Sequence, residues 1–315
     1  MKAIFRKEMA DYFTSIRVLI LFMLVLFVSA LTLWSDYNGI RGTADTGFVF
    51  LKLFTTQAGG IPSLFTFVNL ISLFFIPIIG IALGFDAINR EHSEGTVSRI
   101  LSQPIFRDSV INAKFLAGIF TLSIMVVTTV MLISGYGLRL IGVPPTFEEV
   151  FRLFLYIVFA IIYGSFWMGL AVLFSVLFRR IATSLLSSIA IWLFFGIFYI
   201  FIAPIIADLL VPTADGTPEV IIRNIELQRA LLRISPNFLF LEASTVLLQP
   251  PVAGTLLGLI GILISGATQY LIPNPLSLEQ SMLLVWPHLT LLVSLTLICF
   301  AISYVVFMRR EIRAT

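Results

Sequence analysis

One stretch of this chain, residues 85–114, concentrates side chains that can form ion pairs and hydrogen bonds. It lies between two apolar runs that are each long enough to cross a bilayer, so it must sit in water on one side of a membrane. Such a charged island suits contact with a partner protein better than bond-making chemistry. Its charged residues are Asp86, Arg90, Glu91, Glu94, Arg99, Arg107, Asp108 and Lys114.

Sequence signatures of catalysis and of metal binding are missing from the chain. There is no GxxxxGK[ST] motif to hold nucleotide phosphates, and no HExxH, GxSxG or paired-cysteine motif. The single cysteine, Cys299, excludes an intrachain disulfide, and we expect His92 and His288 on opposite sides of the membrane. We therefore expect a protein that is not an enzyme and that carries no cofactor or metal of its own.

The composition identifies an integral membrane protein. Among 315 residues, 59% are hydrophobic and 12% are charged, and the mean hydropathy is +1.04. Soluble domains carry roughly 25% charged residues, so this chain has too little polar surface to cover a soluble globule. The apolar runs do not alternate with the period of two that barrel strands require, which favours an all-α fold.

The chain reads as one transmembrane domain over residues 1–315. Residues 1–16 form the pattern of an amphipathic helix lying in the membrane interface. Pro77 should kink the second span, and Thr146 with Glu149 forms a capping box that begins the fourth helix. The predicted spans are 18–33, 64–85, 115–138, 154–178, 183–202 and 288–308.

Residues 203–287 form the longest part outside these spans, and we expect it on the extracytoplasmic side. Turns are predicted at Pro204 and near residue 215, and an amphipathic helix over 219–234. Residues 252–272 are uncharged and long enough to cross the membrane, so a surface-lying, re-entrant or spanning helix is compatible with this stretch.

The distribution of charge favours six spans with both termini in the cytoplasm. If 252–272 does not cross, one side holds thirteen of the 20 basic and seven of the 17 acidic residues, a net +6, and the other side a net −3. If it does cross, the basic C-terminus lies on the wrong side for the positive-inside rule. We therefore predict a multi-pass protein of the cell membrane.

Local signals within the charged island predict a short helix. Gly95 breaks the preceding helix, Thr96 offers an N-cap, and Pro104 stops the helix that follows. Val97, Ile100 and Leu101 then form one apolar stripe. A plain solvated loop is the alternative.

The island also resembles a known family. The runs Asp86 to Glu91, Glu94-Gly95-Thr96 and Leu101 to Ile105, with Arg107 and Lys114, resemble the region after the second span in ABC transporter permeases of the type-2 exporter class. The resemblance implies a homodimer, or a dimer with a related permease, on two separate ATPase subunits that bind ATP and Mg²⁺. The coupling segment would be residues 86–114, and its short helix, Val97 to Leu101, would sit in a cleft of each ATPase.

These observations predict the permease subunit of an ATP-driven ABC exporter that moves an unidentified substrate. The alternatives are a non-transporting mechanical or scaffold subunit driven by the same kind of ATPase, and a self-contained channel or secondary transporter. Expected partners are the ATPase, a second permease, membrane lipids and an extracytoplasmic protein, but no nucleic acid. Asn69 is the candidate for lining a transport pathway. The predicted ATPase contacts are Glu91, Glu94, Gly95, Thr96, Val97, Arg99, Ile100, Leu101 and Arg107.

Overall fold

A computed structural model describes residues 2–41, 48, 50–55, 67–90, 107–142, 144–213, 217–250 and 276–309, and these ranges contain helices and no strand. The all-α prediction is confirmed for them. The helices are α1 (Lys2–Thr14), α2 (Ile16–Arg41), α3 (Lys52–Thr55), α4 (Phe67–Leu70), α5 (Ile76–Gly84), α6 (Arg107–Ile141), α7 (Phe147–Leu177), α8 (Ile181–Leu193), α9 (Tyr199–Leu210), α10 (Pro218–Leu232), α11 (Pro236–Leu248) and α12 (Leu278–Arg309). Two π-helical turns, Ile71–Phe75 and Phe194–Phe198, join α4 to α5 and α8 to α9.

Between five and seven of these elements are long and apolar enough to cross a membrane. Five are continuous or gently broken helices. Two more are bent pairs, α1 with α2 at 60° and α10 with α11 at 113°. Because 113° exceeds a right angle, the chain reverses along its path from α10 to α11.

Helix α7 is the centre of the fold. Its apolar window is 72% buried, whereas the windows of α8–α9 and α12 are 22% and 17% buried. Gly80 and Gly84 on α5 face it directly: a methyl group added at either glycine would lie 2.6 Å from a carbonyl oxygen of α7. Two small residues four apart therefore let the backbones of α5 and α7 approach closely.

The contacts define two ends of the helix bundle. Residue 90, the start of α6 and the junction between α7 and α8 lie at one end, which we call the loop end. The starts of α7 and α12 lie together at the other end, which we call the hairpin end.

The predicted irregularity at Pro77 takes the form of a π-helical turn just before it. Proline has no N–H, so the carbonyl of Leu73 loses its usual helical partner. The indole of Trp192 on α8 donates to that oxygen at 2.8 Å. A neighbouring helix thus satisfies the backbone group that proline releases, as spans in lipid require.

The hairpin of α10 and α11 is inserted between other helices. Helix α10 packs against α9, where the Asn224 amide donates to Asp208 at 2.8 Å. Helix α11 packs against α7, where the Tyr163 hydroxyl donates to Asn237 at 2.8 Å and the Tyr163 ring stacks on Phe240. The amphipathic helix predicted over 219–234 is confirmed as α10. The sequence analysis missed α11, although Ser235 caps it and Pro236 occupies its first turn.

Several predicted boundaries differ from the structure. Helix α9 continues to Leu210 through Pro204, so the turn predicted at Pro204 is wrong. Helix α12 begins at Leu278, ten residues before the predicted start of the last span, and contains Pro287. Proline is tolerated inside membrane helices because nearby groups satisfy the carbonyls it frees. The capping box of Thr146 and Glu149 is confirmed.

Candidate functional site

The predicted contact residues of the charged island fall mainly outside the described part of the chain. Arg107 begins α6, but its side chain is also outside the description. The structure does describe where segment 91–106 leaves the bundle and where it returns. The predicted residues outside the described ranges are Glu91, Glu94, Gly95, Thr96, Val97, Arg99, Ile100 and Leu101.

The segment leaves the bundle from a short turn, residues 85–88, that follows α5. The hydroxyl of Ser175 on α7 accepts from the backbone N–H groups of Ile88 and Asn89 at 2.9 and 3.1 Å. The hydroxyl of Ser184 on α8 donates to the carbonyl of Phe85 at 2.9 Å. Helices α7 and α8 thus satisfy polar backbone groups that a helix end leaves without partners.

The segment returns at α6, whose first turn carries Asp108. A carboxylate there interacts favourably with the helix dipole. Two turns further on, the ammonium group of Lys114 lies 2.9 Å from the carboxylate of Glu8 on α1, and both side chains are buried. Lys7 is 3.2 Å from the same carboxylate.

Helix α1 and the start of α2 contact described residues on both sides of segment 91–106. In addition to the Glu8–Lys114 pair, the Tyr12 hydroxyl donates to the carbonyl of Leu83 at 3.0 Å. Arg17 lies 2.8 Å from Asp86 and over the ring of Phe85. We call these contacts the loop anchor.

The side chains of the loop anchor are arranged to hold neighbouring helices in position. Burial raises the pKa of the Tyr12 phenol, so this group stays a neutral hydrogen-bond donor. The carboxylates of Glu8 and Asp86 face cationic groups rather than an open cleft. Within the described ranges, no group of three or more His, Cys, Asp or Glu side chains is arranged to hold a metal ion.

Sequence reasoning missed Glu8, Tyr12 and Arg17 as parts of this site. The only signal for them was the amphipathic pattern of residues 1–16, which does not identify what the polar side chains contact. Asn69, the candidate pathway residue, is half-buried on α4, two residues before the first π-helical turn. Its role in a pathway stays a prediction.

A second set of polar contacts lies at the hairpin end, where Arg152 of α7 is fully buried. Its guanidinium group donates to the hydroxyl of Ser281 at 2.9 Å and to the carbonyls of Leu276 and Leu247 at 2.7 and 3.4 Å. It also pairs with Glu148 at 2.8 Å. Arg152 therefore joins α7, α11 and α12.

Glu242 of α11 is the centre of the other buried cluster at this end. Its carboxylate pairs with Arg229 of α10 and with Arg233 just after that helix, and Nε2 of His288 on α12 lies 2.7 Å from it. Three helices thus meet at one carboxylate. We call the Arg152 and Glu242 clusters together the hairpin anchor.

The hairpin end also brings together the two ends of segment 251–275, which lies outside the described residues. The backbone N–H of Leu276 donates to the carbonyl of Pro250 at 3.1 Å. The chain therefore leaves and re-enters the described structure at adjacent points.

A family model described as "ABC-2 family transporter protein" matches residues 2–312. No curated protein matches the chain. The match covers the loop anchor, the hairpin anchor and every helix between them.

Proposed function

The chain belongs to the ABC-2 family of transporter proteins, and from this membership we propose that it is the permease subunit of an ATP-driven exporter. ATP and Mg²⁺ bind to a separate ATPase chain. The coupling segment, residues 86–114, receives the movement of that ATPase. The transported substrate is not specified by any residue pattern.

The observation that carries the proposal is the double attachment of segment 91–106. Described residues on both sides of it contact α1 or the start of α2: Leu83 contacts Tyr12, Asp86 contacts Arg17, and Lys114 contacts Glu8. Its first end is also joined to the central helix α7 by Ser175 and by the close packing at Gly84. A displacement of the segment is therefore passed to the centre of the bundle, as a coupling element requires.

The geometry of the hairpin end supports six crossings. Residues 250 and 276, which flank segment 251–275, are hydrogen-bonded to each other. If this segment crossed the membrane once, its two ends would be about 30 Å apart. We infer that segment 251–275 begins and ends on the same side of the membrane, and that the α10–α11 hairpin enters and leaves on that side. With the positive-inside rule in support, we propose that both termini and residues 86–114 lie in the cytoplasm.

Transport further requires two states with unequal affinity for the substrate. We propose a homodimer on two ATPases, in which ATP binding moves the coupling segments and shifts the dimer between inward- and outward-facing states. The coupling helix contacts the ATPase through Val97, Ile100 and Leu101, with Glu91, Glu94, Arg99 and Arg107 beside it.

The decisive experiment changes the apolar stripe and measures co-purification with the proposed ATPase partner. Ile100→Asp and Leu101→Asp should each reduce the recovered ATPase by about tenfold or more, because a buried apolar contact becomes a charge. Ser102→Asp is the matched control, since it adds the same charge beside the stripe and should retain the ATPase. Unchanged association and unchanged ATP-dependent transport in both stripe variants would refute the assignment.

A mechanical role is the second candidate, and the hairpin anchor favours it. The α10–α11 hairpin is joined to α7 by the Tyr163–Asn237 hydrogen bond and to α12 by the contact of Glu242 with His288, while Ile221 and Ile222 on α10 are exposed. Such a hairpin can pass motion to a partner protein on the extracytoplasmic side. Ile221→Ser with Ile222→Ser should uncouple this partner while any transport of substrate continues. If transport in liposomes persists with no ATPase present, a self-contained channel replaces both proposals.

A further inference from the structure

A histidine and a carboxylate meet where α12 contacts the α10–α11 hairpin. His288 of α12 is buried, with 6% of its surface exposed. Its Nε2 atom lies 2.7 Å from the carboxylate of Glu242, and its Nδ1 atom lies 3.1 Å from the carbonyl oxygen of Leu284, one turn earlier on α12. Both ring nitrogens therefore face oxygen atoms that accept hydrogen bonds and cannot donate them.

The protonation state of the ring follows from these two contacts. A neutral imidazole carries one N–H, so it donates to one of the two oxygens and turns a lone pair towards the other. An imidazolium carries two N–H groups and donates to both oxygens. The arrangement in the structure is thus the one that a positively charged His288 satisfies.

The charged groups on the hairpin keep Glu242 ionised. Arg229 of α10 and Arg233, just after that helix, both pair with its carboxylate. Guanidinium groups do not lose their charge in proteins, and two of them beside one carboxylate favour its ionised form. The only acidic residue on α12 itself, Glu279, is exposed at the start of the helix. His288 is therefore the member of this cluster that can change charge between about pH 5 and pH 8.

Helix α7 and segment 251–275 add no further group that titrates in this range. Arg152 of α7, with its partner Glu148, contacts α12 at Ser281, which is seven residues and about 10 Å before the histidine. Tyr156 lies one turn further along α7, and tyrosine is neutral at these pH values. Segment 251–275 contains no Asp, Glu, Lys, Arg or His.

We propose that His288 is a proton-binding site whose charge controls how firmly α12 holds the α10–α11 hairpin. With a proton bound, the ring donates to Leu284 and to Glu242 and so links α12 to α11. Without it, one of these contacts is lost and an uncharged ring faces the carboxylate. Because the folded protein stabilises the charged ring, this stability is present at low pH and is lost as the pH rises through the histidine range. The proposal rests on these contacts and not on the proposed transport function, so either can fail alone.

The direct test observes the ring of His288 by nitrogen NMR in the full chain, purified in detergent with isotopically labelled histidine. His92→Gln leaves His288 as the one histidine of the sequence, so its ring nitrogens are assigned at once. In an imidazolium both nitrogens carry a proton and give similar chemical shifts, whereas a neutral ring gives two widely separated signals. We expect the first pattern at about pH 5 and the second at about pH 8. A ring that keeps one pattern at both pH values would overturn the proposal.

Thermal unfolding measures the consequence for the contact between α12 and the hairpin. His288→Gln retains an amide that can donate to Glu242 but cannot change charge. Between about pH 5 and pH 8, the melting temperature of the wild-type chain should fall by about 5 °C more than that of His288→Gln, the loss of one charged hydrogen bond. His92→Gln is the matched control and should fall as the wild type does. Equal pH dependence of His288→Gln and the wild type would refute the proposal, and the NMR signals decide it even if His288→Gln does not fold.

Discussion

The two ends of the bundle are held by charged residues in different ways. At the loop end, Glu8–Lys114 and Arg17–Asp86 are separate pairs, and the side chain of Arg17 is 52% exposed. At the hairpin end, Arg152 is 0% exposed and contacts α11 and α12, and Glu242 pairs with Arg229 and Arg233 and contacts the imidazole of His288.

This difference indicates which end is able to move. Exposed ion pairs contribute roughly 0–1 kcal/mol, so they can break and re-form at low cost. Removing one member of a buried, multiply bonded cluster costs about 3–5 kcal/mol. At the loop end the Arg17–Asp86 pair can therefore break at low cost while the buried Glu8–Lys114 pair holds, whereas the hairpin end keeps α7, α10, α11 and α12 together.

Glu242→Gln should have the largest effect, because it leaves Arg229, Arg233 and His288 without their shared carboxylate. We expect a loss of about 3–5 kcal/mol of unfolding free energy or failure to fold, measured as thermal unfolding of the purified protein in detergent. Glu226→Gln is the control on the same hairpin, since Glu226 is exposed and should tolerate the change. A wild-type melting temperature for Glu242→Gln would remove the contrast between the two ends.

Arg152→Met should have the next largest effect. It keeps a long apolar stem but leaves the hydroxyl of Ser281 and two backbone carbonyls without their donor. A destabilisation of about 3 kcal/mol is expected in the same unfolding measurement. Arg223→Met is the matched control, because Arg223 is exposed on α10. Equal melting temperatures for the two variants would contradict the role of Arg152.

Lys114→Met should lower the free energy of unfolding by a smaller amount, about 2 kcal/mol, because Lys7 still lies near Glu8. Its functional effect should be larger than its effect on stability, since the second end of segment 91–106 loses its contact with α1. We expect ATP hydrolysis to continue while the transport that depends on it falls. The double variant Lys114→Met with Glu8→Gln should recover part of the unfolding free energy but not the transport that depends on ATP hydrolysis. Recovery of both would make this pair purely structural.

Arg17→Ala should have the smallest effect on unfolding, below about 1 kcal/mol, because the pair with Asp86 is largely exposed. Its contribution should also weaken with rising salt concentration. Thermal unfolding at low and high salt measures this. A loss as large as that of Arg152→Met would show that the loop end is as rigid as the hairpin end.

The sequence predicted the elements that depend on local pattern. Apolar runs and the Thr146–Glu149 capping box were sufficient for the long helices, and the alternation of charge and apolar residues for α10. Helix α11 was missed because it is only 13 residues long and contains polar residues, among them Asn237 and Glu242, that are usually exposed in loops. Helix ends were also misplaced where proline continues a helix rather than ending it, as at Pro204.

For the candidate site too, the local motif was predictable from the sequence and the long-range contacts were not. The runs around Asp86, Glu94 and Lys114 were enough to identify the family, because they lie close together in the sequence. The partners of these residues were not predictable. Glu8 is 106 positions from Lys114, and Tyr12 is 71 positions from Leu83.

The sequence by itself determined that this is an all-helical membrane protein of the ABC-2 family, since composition, hydropathy and a local motif are properties of the chain alone. Only the tertiary structure decided that α1 contacts α5 before segment 91–106 and α6 after it, and that Arg152 and Glu242 hold the opposite end. Those contacts depend on which distant helix faces are brought together. That arrangement is set by the close packing at Gly80 and Gly84 and by the reversal between α10 and α11. It cannot be predicted from the periodicity of one helix.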